Sequence, residues 1–506
     1  MNKFIYNLNG KLLPIFVLFF ILAGVSIAVL SAVNPLKLVA IIVATSLPVL
    51  LYKKPTYGLI ALITILPYVL TDLFQTNLVK SFNLNTFILL YIVVTLVFIL
   101  FKEPFRIPNN YKMFIMVYVL VFTVAVIRSL PHLSIFRVVW DSDYSILSYI
   151  LVEGVKSLLY FFTLILIARY IRTGKEIMRV VDGILISVSL LSVILLVIYI
   201  FYVPDKHSFE AVRGQFEDIL YLHGNSIARF YILSFPLLQA YVLNKRKFSL
   251  VILPLWILAA GLLYSRTAYL VIIISSVLFF IISGRRKMLP LIFTLFIAGI
   301  LLLPSNITQR ALTGLASGNL NNISADRLNY IWLPVIREQL QDPLKLMVGN
   351  GKRAFVATEA LKYGIIRYPD YGILSSRSLF KGDTIARSMQ GDSIYIINHA
   401  HNMYLDMMLE IGAVGLLTIL FLFFRLGKSF VQTLKRIDNP LSKDLMCAVI
   451  VSLLSFFIAG FTDGSLFPDL PNSFVWLVIG VGISISCSNH SNSVEDSEVI
   501  VDAHCA

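Results

Sequence analysis

The stretch NHAHNMYLDMMLEIGAVGL, residues 398–416, sets His399, His401, Asn402, Asp406 and Glu410 within an otherwise apolar run. Ionisable groups in such a run are expensive in lipid and mark a functional site unless they are paired. An imidazole titrates near neutral pH and suits general-base work. Two other runs set cations beside hydrogen-bonding side chains. HGNSIARFY carries Asn225, Ser226 and Arg229, and YSRTAYL carries Ser265, Arg266 and Thr267. Guanidinium groups hold phosphate oxygens bidentately. The three runs together point to chemistry on an anionic substrate.

The elements that must position them are membrane helices. Of the 506 residues, 58% are hydrophobic and 14% are charged, against roughly 45–50% and 25% in soluble domains. Runs of roughly 18 apolar residues, each enough to span a bilayer, recur along the chain. We read about fourteen: 13–31, 37–51, 57–71, 84–101, 111–127, 148–168, 183–202, 226–243, 249–263, 267–283, 288–304, 402–424, 445–461 and 472–487. The expected fold is an all-α polytopic helix bundle. Its organisation is spans one to eleven over 1–304, a large outer loop over 305–400, spans twelve to fourteen over 401–487, and a disordered tail over 488–506.

Basic clusters fix the orientation. Lys53-Lys54, Lys102 with Arg106, Arg169 with Arg172, Lys245-Arg246-Lys247, Arg285-Arg286-Lys287 and Arg425 with Lys428 each follow an even-numbered span. By the positive-inside rule those ends and both termini face the cytoplasm. The net charge of +14 is largely this topological signal, so it does not imply nucleic-acid binding. The first span reads as a retained segment, without a cleavage site. Cys447, Cys487 and Cys505 offer neither an outer disulfide nor a metal-binding spacing.

The large loop carries eleven Lys and Arg against seven Asp and Glu, a basic surface that favours anionic partners. Ser324 is placed to cap a helix that Pro334 kinks and Asp342-Pro343 ends. Gly349-Asn350-Gly351 reads as a tight turn. That helix either lies on the membrane surface or packs on the bundle, or it offers Tyr330 and Trp332 as a sugar platform.

Spans eight, ten and twelve start at the outer face. A helix N-terminus presents unpaired N–H groups and roughly half a positive charge, and so forms an anion site. One Arg at a span end commonly only snorkels to the surface. Three polar helix starts beside a basic loop point to a shared site. Within span twelve, Asp406 lies about 140° round the helix from His401 and Glu410 about 13 Å deeper. Neither is placed to orient His401, and Glu410 is expected to bond a neighbouring helix. Gly412 and Gly415 are expected to let helices pack closely.

HNMYLDMMLEIGAVGLL resembles the signature of the O-antigen ligase and O-antigen polymerase superfamily. The ligase pattern runs His, then Asn, Ser or Gln, nine residues, Gly-x-x-Gly, then Gly, Thr or Tyr. His401, Asn402, Gly412 and Gly415 fit it, and Leu416 departs from it. Arg266 with Leu270 resembles the family's Arg-x-x-x-Leu element, and Asn225 with Ala228 its Asn-x-x-Ala helix start. Arg327 with Trp332, and Gly349 with Gly351, resemble its loop elements. The likeness covers roughly residues 185–425.

The resemblance implies a glycosyltransferase of the membrane C-type fold, without metal or cofactor. Its donor is a glycan on undecaprenyl pyrophosphate, and its acceptor is a second glycan lipid. It implies His401 as general base and Arg266, Arg229 and Arg327 on the pyrophosphate. Asn225, Asn402, Tyr330, Trp332 and His399 would contact glycan, while Gly412, Gly415 and Glu410 would be structural. A flippase and a chain-length regulator are the expected partners. Leu416 and the number of spans favour a polymerase of repeats for O-antigen, capsule or exopolysaccharide. The alternatives are a ligase acting on lipid A-core and, outside catalysis, a transporter of a small anion such as bicarbonate.

Overall fold

The computed structural model describes residues 55–68, 77–79, 82–83, 109–133, 145–206, 208–220, 222–244, 247–290, 294, 328–353, 355, 365–367, 394–396, 399–462 and 464–502. The expected spans at 13–31, 37–51 and 84–101, nearly all of 288–304, and Arg327 with its helix cap Ser324 lie outside these residues.

Thirteen helices carry the argument. They are α1 Pro55–Ile65, α2 Asn109–Arg128, α3 Ile146–Tyr170, α4 Gly174–Phe201, α5 Phe209–Leu220, α6 Gly224–Leu243 and α7 Lys247–Gly261. They continue with α8 Arg266–Ile282, α9 Leu333–Gln341, α10 Pro343–Val348, α11 Met403–Leu434, α12 Pro440–Ala459 and α13 Ser473–Asp502. Two short antiparallel pairs, Asn77–Val79 with Phe82–Asn83 and Ile365–Arg367 with Ile394–Ile396, are minor additions to an all-α membrane protein. Six helices among the described residues are long and apolar enough to cross a bilayer.

Sequence accounts for several boundaries. Thr173 and Glu176 form a capping box at the start of α4, with Thr173 N–H donating to Glu176 Oε2 at 3.0 Å and Glu176 N–H to Thr173 Oγ1 at 3.3 Å. Asp342 ends α9 and caps α10, accepting from the N–H groups of Leu344 and Lys345 at 3.1 Å. Ahead of Pro334 the chain forms a π-helical turn, Leu328–Trp332. The tail expected to be disordered continues α13 as helix to Asp502. No Gly or Pro follows Gly482 to stop it.

The core is apolar and aromatic. Tyr118 stacks on Phe161 at 4.7 Å between ring centroids, and Trp476 meets both edge-on at 5.0 and 4.9 Å. These contacts tie α2, α3 and α13 together. Apolar side chains also face outward in stripes, as with Met116, Leu120, Val124 and Ile127 on α2, and Val414, Leu417, Phe421 and Phe424 on α11. Such stripes suit lipid.

The bundle has two distinct ends. At one, Asp444 accepts from Asn244 Nδ2 at 2.9 Å and from Arg285 Nη2 at 2.7 Å, joining α6, the chain just past α8, and α12. Tyr241 donates to Asp182 at 2.9 Å nearby, bringing α4 to the same end. The basic clusters around Arg172 and Arg285 lie on this side. The opposite end carries the polar helix starts of α6, α8 and α11.

With the basic end inward, as the positive-inside rule expects, this arrangement predicts side-specific labelling in a background where Cys447, Cys487 and Cys505 are replaced by Ser. Lys206→Cys, exposed after α4, should react with a membrane-impermeant maleimide applied to intact cells. Lys443→Cys, exposed beside Asp444, should react only after permeabilisation. The reverse pattern would invert the orientation.

Candidate functional site

The helix carrying the signature is two helices end to end. His401 adopts a left-handed φ of 51° and turns the chain just ahead of the cap. Asn402 Oδ1 then accepts from the N–H groups of Tyr404 at 3.0 Å and Leu405 at 3.2 Å, a preferred N-cap arrangement. At Gly412 the backbone leaves the helix, with φ 69° and ψ 178°. Tyr404 Oη donates to Phe457 O at 2.8 Å, and the Phe423 ring meets Phe457 at 5.2 Å. A straight helix would hold residues 404 and 423 about 28 Å apart, so α11 bends at the glycine.

Residues 413–434, at about 1.5 Å each, cover roughly 33 Å and cross the hydrocarbon by themselves. This corrects the expectation that His401 opens a single span at 402–424. Asp406 and Glu410 sit on a separate half-helix, residues 403–411, and need not enter lipid.

The break frees carbonyls that helical N–H groups would otherwise satisfy. The loop turn supplies the donors. Asn350 N–H donates to Leu409 O and Gly351 N–H to Glu410 O, both at 2.8 Å. Arg353 N–H donates to Glu410 Oε1 at 2.6 Å. Gly349 makes the approach possible, since a Cβ there would lie 2.5 Å from Gly412 N. A Cβ at Gly412 would in turn overlap the Met347 carbonyl.

Two expectations change as a result. Glu410 bonds this loop turn and not a neighbouring helix. Gly412 admits the loop backbone, and Gly415 relieves crowding against Ile411 of its own helix, where a Cβ would lie 2.7 Å from Ile411 Cβ. Leu416 packs on the bundle core below the bend.

The two histidines form a pair. Their ring centroids lie 3.8 Å apart, and His401 N–H donates to His399 Nδ1 at 3.1 Å. An acceptor at Nδ1 puts the proton of neutral His399 on Nε2. Asp406 accepts from Ala400 N–H at 2.7 Å and lies 3.7 Å from His399. Helical geometry does not carry from His401 to Asp406, because His401 precedes the helix. Trp332 Nε1 donates to Ala400 O at 2.9 Å. The indole therefore holds the histidine segment in place. A small core of Ile331, Val335, Phe355, Ala400 and Leu409 seats α9 on the half-helix, favouring the packed-on-bundle reading of that helix. Tyr330 lies in the π-helical turn beside it.

One segment not singled out from sequence meets all three polar helix starts. It is the connection from α12 to α13, over residues 460–472. Gly460 O accepts from Met403 N–H at 2.8 Å, and Phe461 O accepts from Asn402 Nδ2 at 3.3 Å. Thr462 and Thr267, the neighbour of Arg266, share a hydroxyl hydrogen bond of 2.7 Å. Arg229 Nη1 donates to Asn472 Oδ1 at 3.1 Å. Gly464, at φ 136°, lies between Arg229 and Met403, and a Cβ on it would stand 3.8 Å from each. The Asp-Gly dipeptide and two prolines in this stretch of sequence mark a loop but give no hint of its neighbours. Arg229 is buried at 9% exposure, while Arg266 is half-buried at the first position of α8.

A further cluster covers the start of α6. Asn225 N–H donates to the His223 imidazole at 3.3 Å. Arg213 and Glu217 of α5 meet His223 at 2.6 and 3.5 Å. Burial holds the Glu217 carboxyl above the usual carboxylate range.

The clamp predicts that Gly412→Ala and Gly349→Ala each destabilise the protein by about 2 kcal/mol or more, from left-handed strain and overlap. Gly427→Ala is the control, with nothing within 4 Å of its Cβ position, and should stay within about 0.5 kcal/mol of wild type. Thermal unfolding in detergent would discriminate. Equal midpoints for all three variants would dismiss the clamp.

No curated protein matches the chain. The family model described as O-antigen ligase matches residues 250–420. The matched region contains α8 with Arg266, the large loop with its Gly349–Arg353 turn, and the His401 half-helix, while Arg229 lies before it. The match falls on part of the region that builds this site and supports membership of the O-antigen ligase superfamily.

Proposed function

We propose that the protein polymerises lipid-linked oligosaccharide repeats by glycosyl transfer on the outer face of a bacterial inner membrane. Glycan ligation or polymerisation is what the family match supports. The observation that carries the finer reading is the connection at residues 460–472, which touches the starts of α6, α8 and α11 together. Those contacts support a reading in which Arg229, Arg266 and His401 share one face of the bundle, turned outward in this proposal.

The donor in this reading is a glycan on undecaprenyl pyrophosphate. The bond from the anomeric carbon to the pyrophosphate oxygen breaks, and its electron pair leaves with the diphosphate. Arg266 and Arg229, with the positive ends of α8 and α6, take up that charge, and Arg327 would join them from the loop. The acceptor hydroxyl forms the new bond and gives its proton to His401. Attack opposite the leaving group inverts the anomeric centre. Asn225, Asn402, Tyr330, Trp332 and His399 would border the glycan. A flippase would deliver the donor, and a chain-length regulator would set the product size.

The second reading is a ligase that moves finished glycan onto lipid A-core. The description of the matched family favours it. Leu416 and the number of spans favour polymerase, although Leu416 packs below the bend and so bears on packing more than on chemistry.

His401→Ala should reduce chain extension by at least about 100-fold while the variant inserts at wild-type levels. The assay uses purified protein and a lipid-linked repeat, and near-normal turnover would refute the base assignment. Deleting the gene separates the two readings. A lost polymerase leaves single repeats on the acceptor, whereas a lost ligase leaves long glycan on the carrier lipid.

A further inference from the structure

Glu153 lies on α3, about a hundred residues before the family match begins at 250. It sits in a π-helical turn, Ile150–Val155, within an otherwise α-helical span. Such turns recur at functional sites. Its side chain is 4% exposed, and an unpaired carboxylate so deeply buried would be very costly.

Two cations of the loop turn answer it. Lys352 Nζ donates to Glu153 Oε2 at 2.9 Å, to Glu153 O at 2.7 Å and to Ser157 Oγ at 2.9 Å. These three acceptors use every N–H of the ammonium group. Arg353 grips the same carboxylate with two nitrogens, Nε to Oε2 at 3.0 Å and Nη2 to Oε1 at 2.9 Å. Further bonds fix the turn to α2 and the residue after it. Lys352 N–H donates to Ala125 O at 2.9 Å, Ser129 Oγ to Lys352 O at 2.8 Å, and Arg128 Nη2 to Gly349 O at 2.6 Å.

The same five residues, 349–353, carry the N–H groups that satisfy Leu409 and Glu410 on the far side of the turn. One carboxylate therefore anchors a segment whose other edge holds the end of the His401 half-helix. Replacing a buried ion pair with apolar residues is often neutral or stabilising, so stability alone gives little reason for this cluster. Position gives a better one.

We propose that Glu153 is a positioning residue, acting through Lys352 and Arg353 to hold the His401 half-helix at its bend. The catalytic consequence rests on the transferase reading above. The mechanical link does not. The other end of the half-helix is held independently by Gly460 and Phe461, so loss of Glu153 loosens one end only.

The test compares full-length wild type and Glu153→Gln in lipid nanodiscs by backbone hydrogen exchange. Amides in peptides covering 349–353 and 403–411 should exchange about tenfold faster or more in the variant, with peptides over 460–472 unchanged. In the transfer assay, kcat should fall about tenfold while KM for the lipid-linked donor stays within about threefold, because Arg229 and Arg266 are held elsewhere. Glu153→Asp should recover part of the loss. If Glu153→Gln does not insert, Ser157→Ala replaces it, removing one acceptor of Lys352 without leaving a charge unpaired. A smaller acceleration in the same peptides is then expected. Wild-type exchange in both segments overturns the proposal. Absence of any transfer by the wild-type protein would refute the proposed function and leave the exchange result to decide the link.

Discussion

The polar end of the bundle depends on a helix that fails to continue. Gly412 turns α11 out of helical geometry, and the carbonyls of Leu409 and Glu410 lose their partners along the chain. A buried carbonyl without a donor costs about 1–3 kcal/mol. The loop turn at 350–353 meets that demand with its own N–H groups. Two irregular segments, each poor as independent structure, complete one another. Gly349 and Gly412 are the places where backbone must approach backbone, so no side chain fits at either.

Anchoring at both ends gives the histidine pair a defined frame. Gly460 and Phe461 hold the start of the half-helix, and the loop turn holds its end. Asp406 and Trp332 meet at Ala400, one through its N–H and the other through its carbonyl. His401 can then sit in a left-handed conformation, strained for a residue with a side chain, because everything around it is fixed. The arginine starts of α6 and α8 reach the same connection between α12 and α13. The bend also changes the electrostatic setting. Asp406 and Glu410 need no lipid exposure, and the long apolar half of α11 crosses the membrane without them.

Local features were legible in the sequence. Asp342-Pro343 reads as a helix boundary and Gly349-Asn350-Gly351 as a turn, because each depends on neighbours within a few residues. Ten of the expected spans coincide with described helices for the same reason. What escaped depends on contacts distant in sequence. Glu153 looks like one stray charge in an apolar span until Lys352, about two hundred residues later, is placed against it. Asn472 is ordinary until Arg229 is its partner. Gly412 misled because a glycine in an apolar helix fits close helix packing as well as a break, and hydropathy is identical in both cases.

The bend also gives meaning to a number in the motif. Nine residues separate Asn402 from Gly412, and they are the half-helix itself, two and a half turns between its cap and its break. The interval acts as a ruler. Adding or removing one residue would rotate the far end by about 100° and shift it by about 1.5 Å. The Leu409 and Glu410 carbonyls would then turn away from the loop while His401 stayed with Gly460. Apart from Asp406 and Glu410, whose carboxylates bond Ala400 and Arg353, composition between the two ends is free to vary within the needs of packing, but the count is not.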